Sequence, residues 1–184
     1  GRIEMPVIEN MVVVGRSTME KAKTRDEILK IALNLFSVNG YEATSISQIA
    51  DAVGIRKASL YSHFSSKQEI LDNVVASVLT GYDNHSVFAN TNWDDPEFTK
   101  DKNGMTAEDA ANMIQSQVRR IIHDPAISKG RKMLMIEQFR NKELADLQTR
   151  VNYEDIIRYF EGMIRFLVRM NKLKESDTEI MAAQ

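Results

Sequence analysis

The sequence predicts an all-α protein in two parts, a small helical head followed by a larger helical body. Three observations predict it. Apolar residues recur three and four positions apart along most of the chain, as one face of a helix requires. At five expected helix starts a Ser or Thr is followed three residues later by Glu, Gln or Asp, the reciprocal pattern that opens a helix: Thr24 with Glu27, Ser45 with Gln48, Ser66 with Glu69, Thr106 with Asp109, and Ser176 with Glu179. Finally, 184 residues with 43% hydrophobic content hold only 8 Gly and 3 Pro, so an ordered core is within reach and helix breakers are few.

The elements follow in order. Residues 1–20 carry Pro6, Gly15 and a short Val run without helical periodicity, and are read as a flexible arm. The first helix is expected to open at Thr24, bury Ile28, Leu29, Ala32, Leu35 and Phe36, and close at Asn39-Gly40. Lys21, Lys23 and Arg25 lie at its leading end, either as a solvated arm or as phosphate contacts. Ser45 opens a second helix with Ile49, Ala50 and Val53 inward. Gly54 then supplies the positive φ of a tight connection, and Leu60, Tyr61 and Phe64 mark a third, short helix. Between Asp51 and Glu69 the charges are Arg56, Lys57 and Lys67, with His63 beside them and no carboxylate. A helix from Ser66 carries Leu71, Val74, Val75, Val78, Leu79 and Tyr82, long enough to join head to body.

Residues 90–105, with Asn90, Asn92, Asp94, Asp95, Pro96, Asn103 and Gly104, read as a mobile loop whose acids lack calcium-loop spacing. Thr106 opens a helix with Ala110, Ile114, Val118, Ile121 and Ile122 inward, ended by Asp124-Pro125. Residues 127–140 form another, with Met133, Leu134, Ile136 and Phe139 apolar. Asn141 caps a long segment to Met170 whose stripe is Tyr153, Ile156, Ile157, Phe160, Met163, Ile164, Leu167 and Val168. The pattern divides the chain into an arm, 1–20, a head, 21–67, and a body, 68–184.

Several functions are excluded. A formal charge of −2 leaves no bulk positive charge for nucleic acid, so any such contact must be local. With no Cys there is no disulfide framework, thiolate zinc site or Cys nucleophile, which fits a reducing cytoplasm. No apolar run approaches the roughly 20 residues of a membrane helix. The Gly residues are isolated, so no phosphate or dinucleotide loop is present; His63, His85 and His123 are too scattered for a metal triad, and no Ser sits in a nucleophile elbow. The expectation is no enzyme, no metal and no cofactor.

The stretch Arg25 to Leu71 resembles the DNA-binding domain of the TetR family of bacterial transcriptional repressors. The matching residues are Ile28, Leu29, Ala32, Leu35, Phe36, Gly40, Tyr41, Thr44, Ile49, Ala50, Gly54, Leu60, Tyr61, His63, Phe64, Lys67 and Leu71. Two positions depart from the pattern: Arg56 stands where the family has a capping Ser, and Ala58 where it often has Gly or Pro. The start of the recognition helix is then less firmly capped. The resemblance implies a helix-turn-helix domain whose short third helix enters the major groove, with Lys57, Ser59 and Arg56 at base edges. It also places Tyr61, His63 and Lys67 on phosphates, and Thr44, Ser45 and Gln48 at the start of the second helix, where the positive helix end favours an anion. Tyr61 can equally bury its ring and expose only its hydroxyl.

The body resembles the family's ligand-binding and dimerisation domain more weakly, over Leu134 to Leu144 and Leu173 to Ala183. The family finishes with two long helices that pair across a homodimer. The last is absent here, so either the chain is cut short, or its end lies outside what is given, or the dimer is built differently. The implied partners are a double-stranded DNA operator, a small-molecule effector and a second copy of the chain. Pocket candidates are Phe88, Trp93, Met113, Gln117, Met135, Phe139, Tyr159 and Met163. Seven of the 10 Met residues lie at or after Met105, where they serve either as adaptable ligand contacts or as core filler. The competing reading is a helical ligand-binding or adaptor protein whose head contacts protein rather than DNA.

Overall fold

In a computed structural model the chain is described from residue 7 to residue 170, and it is all-helical there. The helices are α1 (Val7–Asn39), α2 (Ile46–Val53), α3 (Lys57–Tyr61), α4 (Lys67–His85), α5 (Val87–Asn90), α6 (Pro96–Thr99), α7 (Ala107–His123), α8 (Pro125–Glu137), α9 (Lys142–Thr149) and α10 (Asp155–Arg169). A single π turn, Arg150–Glu154, joins α9 to α10. Two compact units divide between Ser77 and Val78, inside α4.

In the first unit the core is Ile28, Ala32 and Phe36 from α1, Ile46, Ile49 and Ala50 from α2, Leu60 from α3, Phe64, and Ile70, Leu71 and Val74 from α4. Gly40 closes α1 at φ 78°, its N–H on the Phe36 carbonyl. Ser45 and Gln48 form the reciprocal cap of α2: the Gln48 N–H reaches Ser45 Oγ at 3.1 Å, and the Ser45 N–H reaches Gln48 Oε1 at 2.7 Å. Gly54 ends α2 at φ 82°, where a side-chain-bearing residue would be strained.

Two expected starts differ. α1 does not open at Thr24, which sits inside it and turns its hydroxyl back to the Glu20 carbonyl at 3.0 Å; residues 7–20, read as an arm without helical periodicity, belong to the same helix. A Thr with Glu three residues on fits a helix interior as well as a start once the chain before it is helical. At α4, Ser66 Oγ accepts from the Glu69 N–H, but the Glu69 carboxylate reaches back to the N–H and hydroxyl of Ser65, each at 2.6 Å. Those two bonds hold the Glu69 pKa below its ordinary value.

In the second unit the core cluster is Phe88, Trp93, Ala110, Tyr159, Met163, Phe166 and Leu167. The segment expected to be a loop contributes a central member. Trp93 is 2% exposed, with its ring centroid 5.5 Å from Phe166, 5.7 Å from Tyr159 and 5.4 Å from Phe98. Asp94 beside it pairs with Arg169 at 2.8 Å and Arg165 at 3.2 Å, and Arg169 also donates to the Trp93 carbonyl. An indole buried among aromatics outweighs the polar residues around it, so this stretch folds into α5, α6 and a short 3-10 turn at Lys100–Lys102.

Thr106 with Asp109 caps α7, and Asn141 caps α9, both as expected. The inward faces of α7, α8 and α10 differ from those expected. On α7, Val118 and Ile122 are exposed while Ala110 is buried. On α8, Met133 and Leu134 are buried while Ile136 faces out, as does Phe139 in the turn that follows. On α10 the buried face is Asp155, Tyr159, Gly162, Met163, Phe166 and Leu167, leaving Ile157 and Val168 exposed, as is Tyr153 in the π turn before it. These segments carry apolar residues on more than one side, so periodicity alone does not choose the face; on α10 the aromatic residues that pack on Trp93 do. The cap expected at Ser176 lies outside the described residues.

Candidate nucleic-acid interface

The first unit presents one short exposed helix, and its residue types define its chemistry. α3 starts after Arg56, whose backbone is extended and whose side chain makes no capping hydrogen bond, as its departure from the usual Ser implied. Lys57, Ala58 and Ser59 follow, all exposed, then the buried Leu60 that anchors the helix. Tyr61 is 46% exposed, so its ring is shared between core and solvent. His63 is half-buried just beyond. Arg56, Lys57, Ser59 and Tyr61 thus share a short surface element of donors without a carboxylate, a composition suited to an anionic backbone and to guanine acceptors.

Around this edge the structure sorts the remaining candidates. Ser45 and Gln48 are exposed at the positive end of α2, but their oxygens are engaged with each other's N–H groups. What they offer an anion is the Gln48 amide N–H2 and the Ser45 hydroxyl proton. Thr44 is 1% exposed and gives its hydroxyl proton to the Gly40 carbonyl at 2.8 Å, so its side chain serves the corner between α1 and α2. Arg25 is also internal to this unit: it donates to Asn73 Oδ1 at 3.0 Å, and its guanidinium lies 4.2 Å from the Phe64 ring centroid.

Lys67 is the residue whose surroundings the sequence concealed. Its ammonium donates to the Tyr41 carbonyl at 2.9 Å and the Thr44 carbonyl at 3.0 Å, and sits 4.2 Å from the Tyr41 ring centroid. The next residue, Gln68, accepts from the Tyr41 hydroxyl at 3.3 Å. The first two residues of α4 therefore strap the corner that leads into α2. No spacing rule exposes such a contact, because it joins positions 26 and 23 residues apart through main-chain acceptors.

The family model of the bacterial regulatory proteins of the tetR family matches residues 28–74, which span these elements. The head is a tetR-family domain. Over 62 residues the chain is 44% identical to the HTH-type transcriptional repressor KstR2 of Rhodococcus jostii (strain RHA1), covering 34% of this chain and 30% of that protein. It is 40% identical over 60 residues to KstR2 of Mycolicibacterium smegmatis, 33% of this chain and 29% of that protein. Over 68 residues it is 41% identical to the biofilm operon icaADBC negative transcriptional regulator IcaR of Staphylococcus aureus (strain Newman), 37% of this chain and 36% of that protein. The matched stretch is thus about a third of each relative's length. A solved structure, that of the probable transcriptional regulatory protein RHA5900, aligns over 86% of this chain and 79% of its own at 23% identity, with a TM-score of 0.47.

Outside the tetR-family head, five of the eight pocket candidates share the core of the second unit: Phe88, Trp93, Tyr159 and Met163 are buried in one cluster, with Met113 packed against it. Gln117 is half-buried on α7, Met135 is exposed on α8, and Phe139 is 89% exposed in the turn after α8. Among the described residues no group of three or more His, Cys, Asp or Glu side chains is placed to hold a metal, and no helix is long and apolar enough to cross a membrane.

Proposed function

We propose that this chain is a DNA-binding transcriptional regulator, most simply a repressor, released from its operator when a small molecule binds the helical body. The observation that carries the reading is the exposed, acid-free α3 edge of Arg56, Lys57, Ser59 and Tyr61 on a tetR-family head. On this reading α3 lies in the major groove, Lys57 and Ser59 read base edges with Arg56, and Tyr61, His63 and the Ser45 end of α2 meet phosphates. The head does no covalent chemistry and needs no cofactor.

Operator recognition needs two heads, spaced for half-sites about one helical turn, some 34 to 36 Å, apart. The exposed residues Ile157 and Val168 of α10, with Tyr153 in the π turn before it and half-buried Phe160 and Ile164 beside them, support a homodimer through the body. An effector that binds better in a state of different head spacing weakens DNA binding by linkage.

The test is the Lys57→Ala variant on promoter DNA, with binding followed by fluorescence anisotropy. Loss of one base contact costs about 1 to 3 kcal/mol on the preferred sequence and relaxes preference at a single position. Wild-type binding must weaken steeply with salt, since phosphate contacts release counterions. Salt-independent binding, or an unchanged sequence preference in Lys57→Ala, refutes the reading in favour of a head that contacts protein.

A further inference from the structure

The aromatic cluster of the second unit contains two hydrogen-bond donors that have no oxygen or nitrogen to give to. Trp93 Nε1 is buried without a partner. Tyr159, 3% exposed, has its hydroxyl on the Met113 thioether at 3.3 Å, a weak acceptor, and burial raises its pKa so that the proton stays on. The two rings are 5.7 Å apart between centroids and nearly perpendicular. Buried polar groups in folded proteins almost always find partners, so two starved donors in one cluster ask for an explanation. The remaining side chains, Phe88, Ala110, Met163, Phe166 and Leu167, are apolar. Gly162 lets Trp93 pack closely on α10: a Cβ there would lie 3.1 Å from the Trp93 Cβ and 3.3 Å from its Cδ1.

Resting on the ligand-responsive reading above, we propose that this cluster is the effector site and takes a neutral, mostly apolar molecule through a carbonyl or ether oxygen. The oxygen accepts from Tyr159 or Trp93, and the skeleton packs against Phe88, Met163 and Phe166. Met113 yields its place at the Tyr159 hydroxyl, as a flexible thioether on the half-buried rim of α7 can. A carboxylate is disfavoured because the cluster holds no cation; the nearby Arg165 and Arg169 are committed to Asp94. An ammonium is disfavoured because the cluster holds no carboxylate to pair with it.

Trp93 is the only Trp in the chain, so its emission reports the site directly. The intact protein is titrated with cyclooctanone, with methylenecyclooctane, in which a CH2 group replaces the oxygen, and with cyclooctylammonium. The ketone is expected to shift Trp93 emission and to release operator DNA, and the other two to do neither. Tyr159→Phe is expected to melt within a few degrees of wild type and to bind the ketone about three- to tenfold more weakly. Met113→Leu, which removes the competing thioether and keeps the hydroxyl, is expected to bind it more tightly. No response to the ketone, an equal response to the hydrocarbon, or unaltered ketone binding in both variants overturns the proposal. If a charged compound releases the DNA and the ketone does not, the regulator reading stands and this effector class falls. If the ketone binds at Trp93 while DNA stays bound, the site stands and release by this ligand falls.

Discussion

Replacing Lys67 with Met tests how the head is held together. The substitution keeps a flexible stem over the Tyr41 ring and removes the ammonium that donates to the Tyr41 and Thr44 carbonyls at 2.9 and 3.0 Å. A hydrogen bond from a charged donor contributes about 1.5 to 3 kcal/mol, and a half-exposed one sits at the low end. The cation over the ring adds about 0.5 kcal/mol. One carbonyl has a second partner, since Tyr41 O also accepts from the Thr44 N–H at 3.2 Å, which reduces the loss on that side. The expected destabilisation is about 2 kcal/mol, a fall of roughly 4 to 8 °C in melting temperature for a chain of this size. Affinity should fall for all DNA sequences alike, because the corner that sets the start of α2 is loosened. The slope of log affinity against log salt should stay unchanged, because the ammonium is spent on main-chain carbonyls. A slope smaller by about 0.9 with an unchanged melting temperature would mean that Lys67 holds a phosphate and the strap is incidental.

Two further perturbations probe the second unit. Tyr82 donates to Asp155 Oδ2 at 2.8 Å, and Asp155, 4% exposed, has Arg158 on its other oxygen at 2.5 Å. Burial, reinforced by that carboxylate, pushes the Tyr82 pKa far above its ordinary value, so the bond persists through alkaline pH. Tyr82→Phe leaves a buried carboxylate short of a donor and should cost about 1 to 3 kcal/mol by denaturant melting; a neutral or stabilising result would show that Arg158 alone suffices. At Asp94 the hydrogen bonds from Arg169 and then Arg165 hold the carboxyl pKa below its ordinary 3.8. A lowered native pKa contributes stability that is present above the unfolded value and lost as pH falls through the native one. Wild type should therefore out-melt Asp94→Asn at neutral pH, with the gap closing in acid below about pH 4; a constant gap across that range would place the effect elsewhere.

What the sequence made legible was local. Ser45 with Gln48, Gly40, Gly54, Thr106 with Asp109 and Asn141 are signals read within one turn of chain, and each terminates or opens a helix where expected. The apolar set Ile28, Ala32, Phe36, Ile49, Ala50, Leu60 and Phe64 was legible because α1, α2 and α3 each turn one apolar side inward there, with Phe64 just past α3. The errors arose where the deciding contact is distant. Thr24 looks like a cap only if the chain before it is not helical. Trp93 lies in a run rich in Asn and Asp and is fixed by partners more than sixty residues away on α10. Lys67 reads as a surface cation until the carbonyls of the preceding corner are placed beside it. At the α3 edge, the exposure of Arg56, Lys57 and Ser59 followed from the same short-range pattern that buried Leu60.

The π turn at Arg150–Glu154 sets the angular phase of everything after it. A turn that holds one residue more than the α-helix delays the following side chains by about 100° of rotation, so the burial of Tyr159, Met163 and Phe166 depends on that extra residue. Deleting one residue there would turn it into an ordinary α turn and leave the later side chains in place, whereas closing it as an α turn at unchanged length would advance them by about 100° and carry Tyr159 and Phe166 off Trp93. In this stretch the width of one turn decides which face is wet.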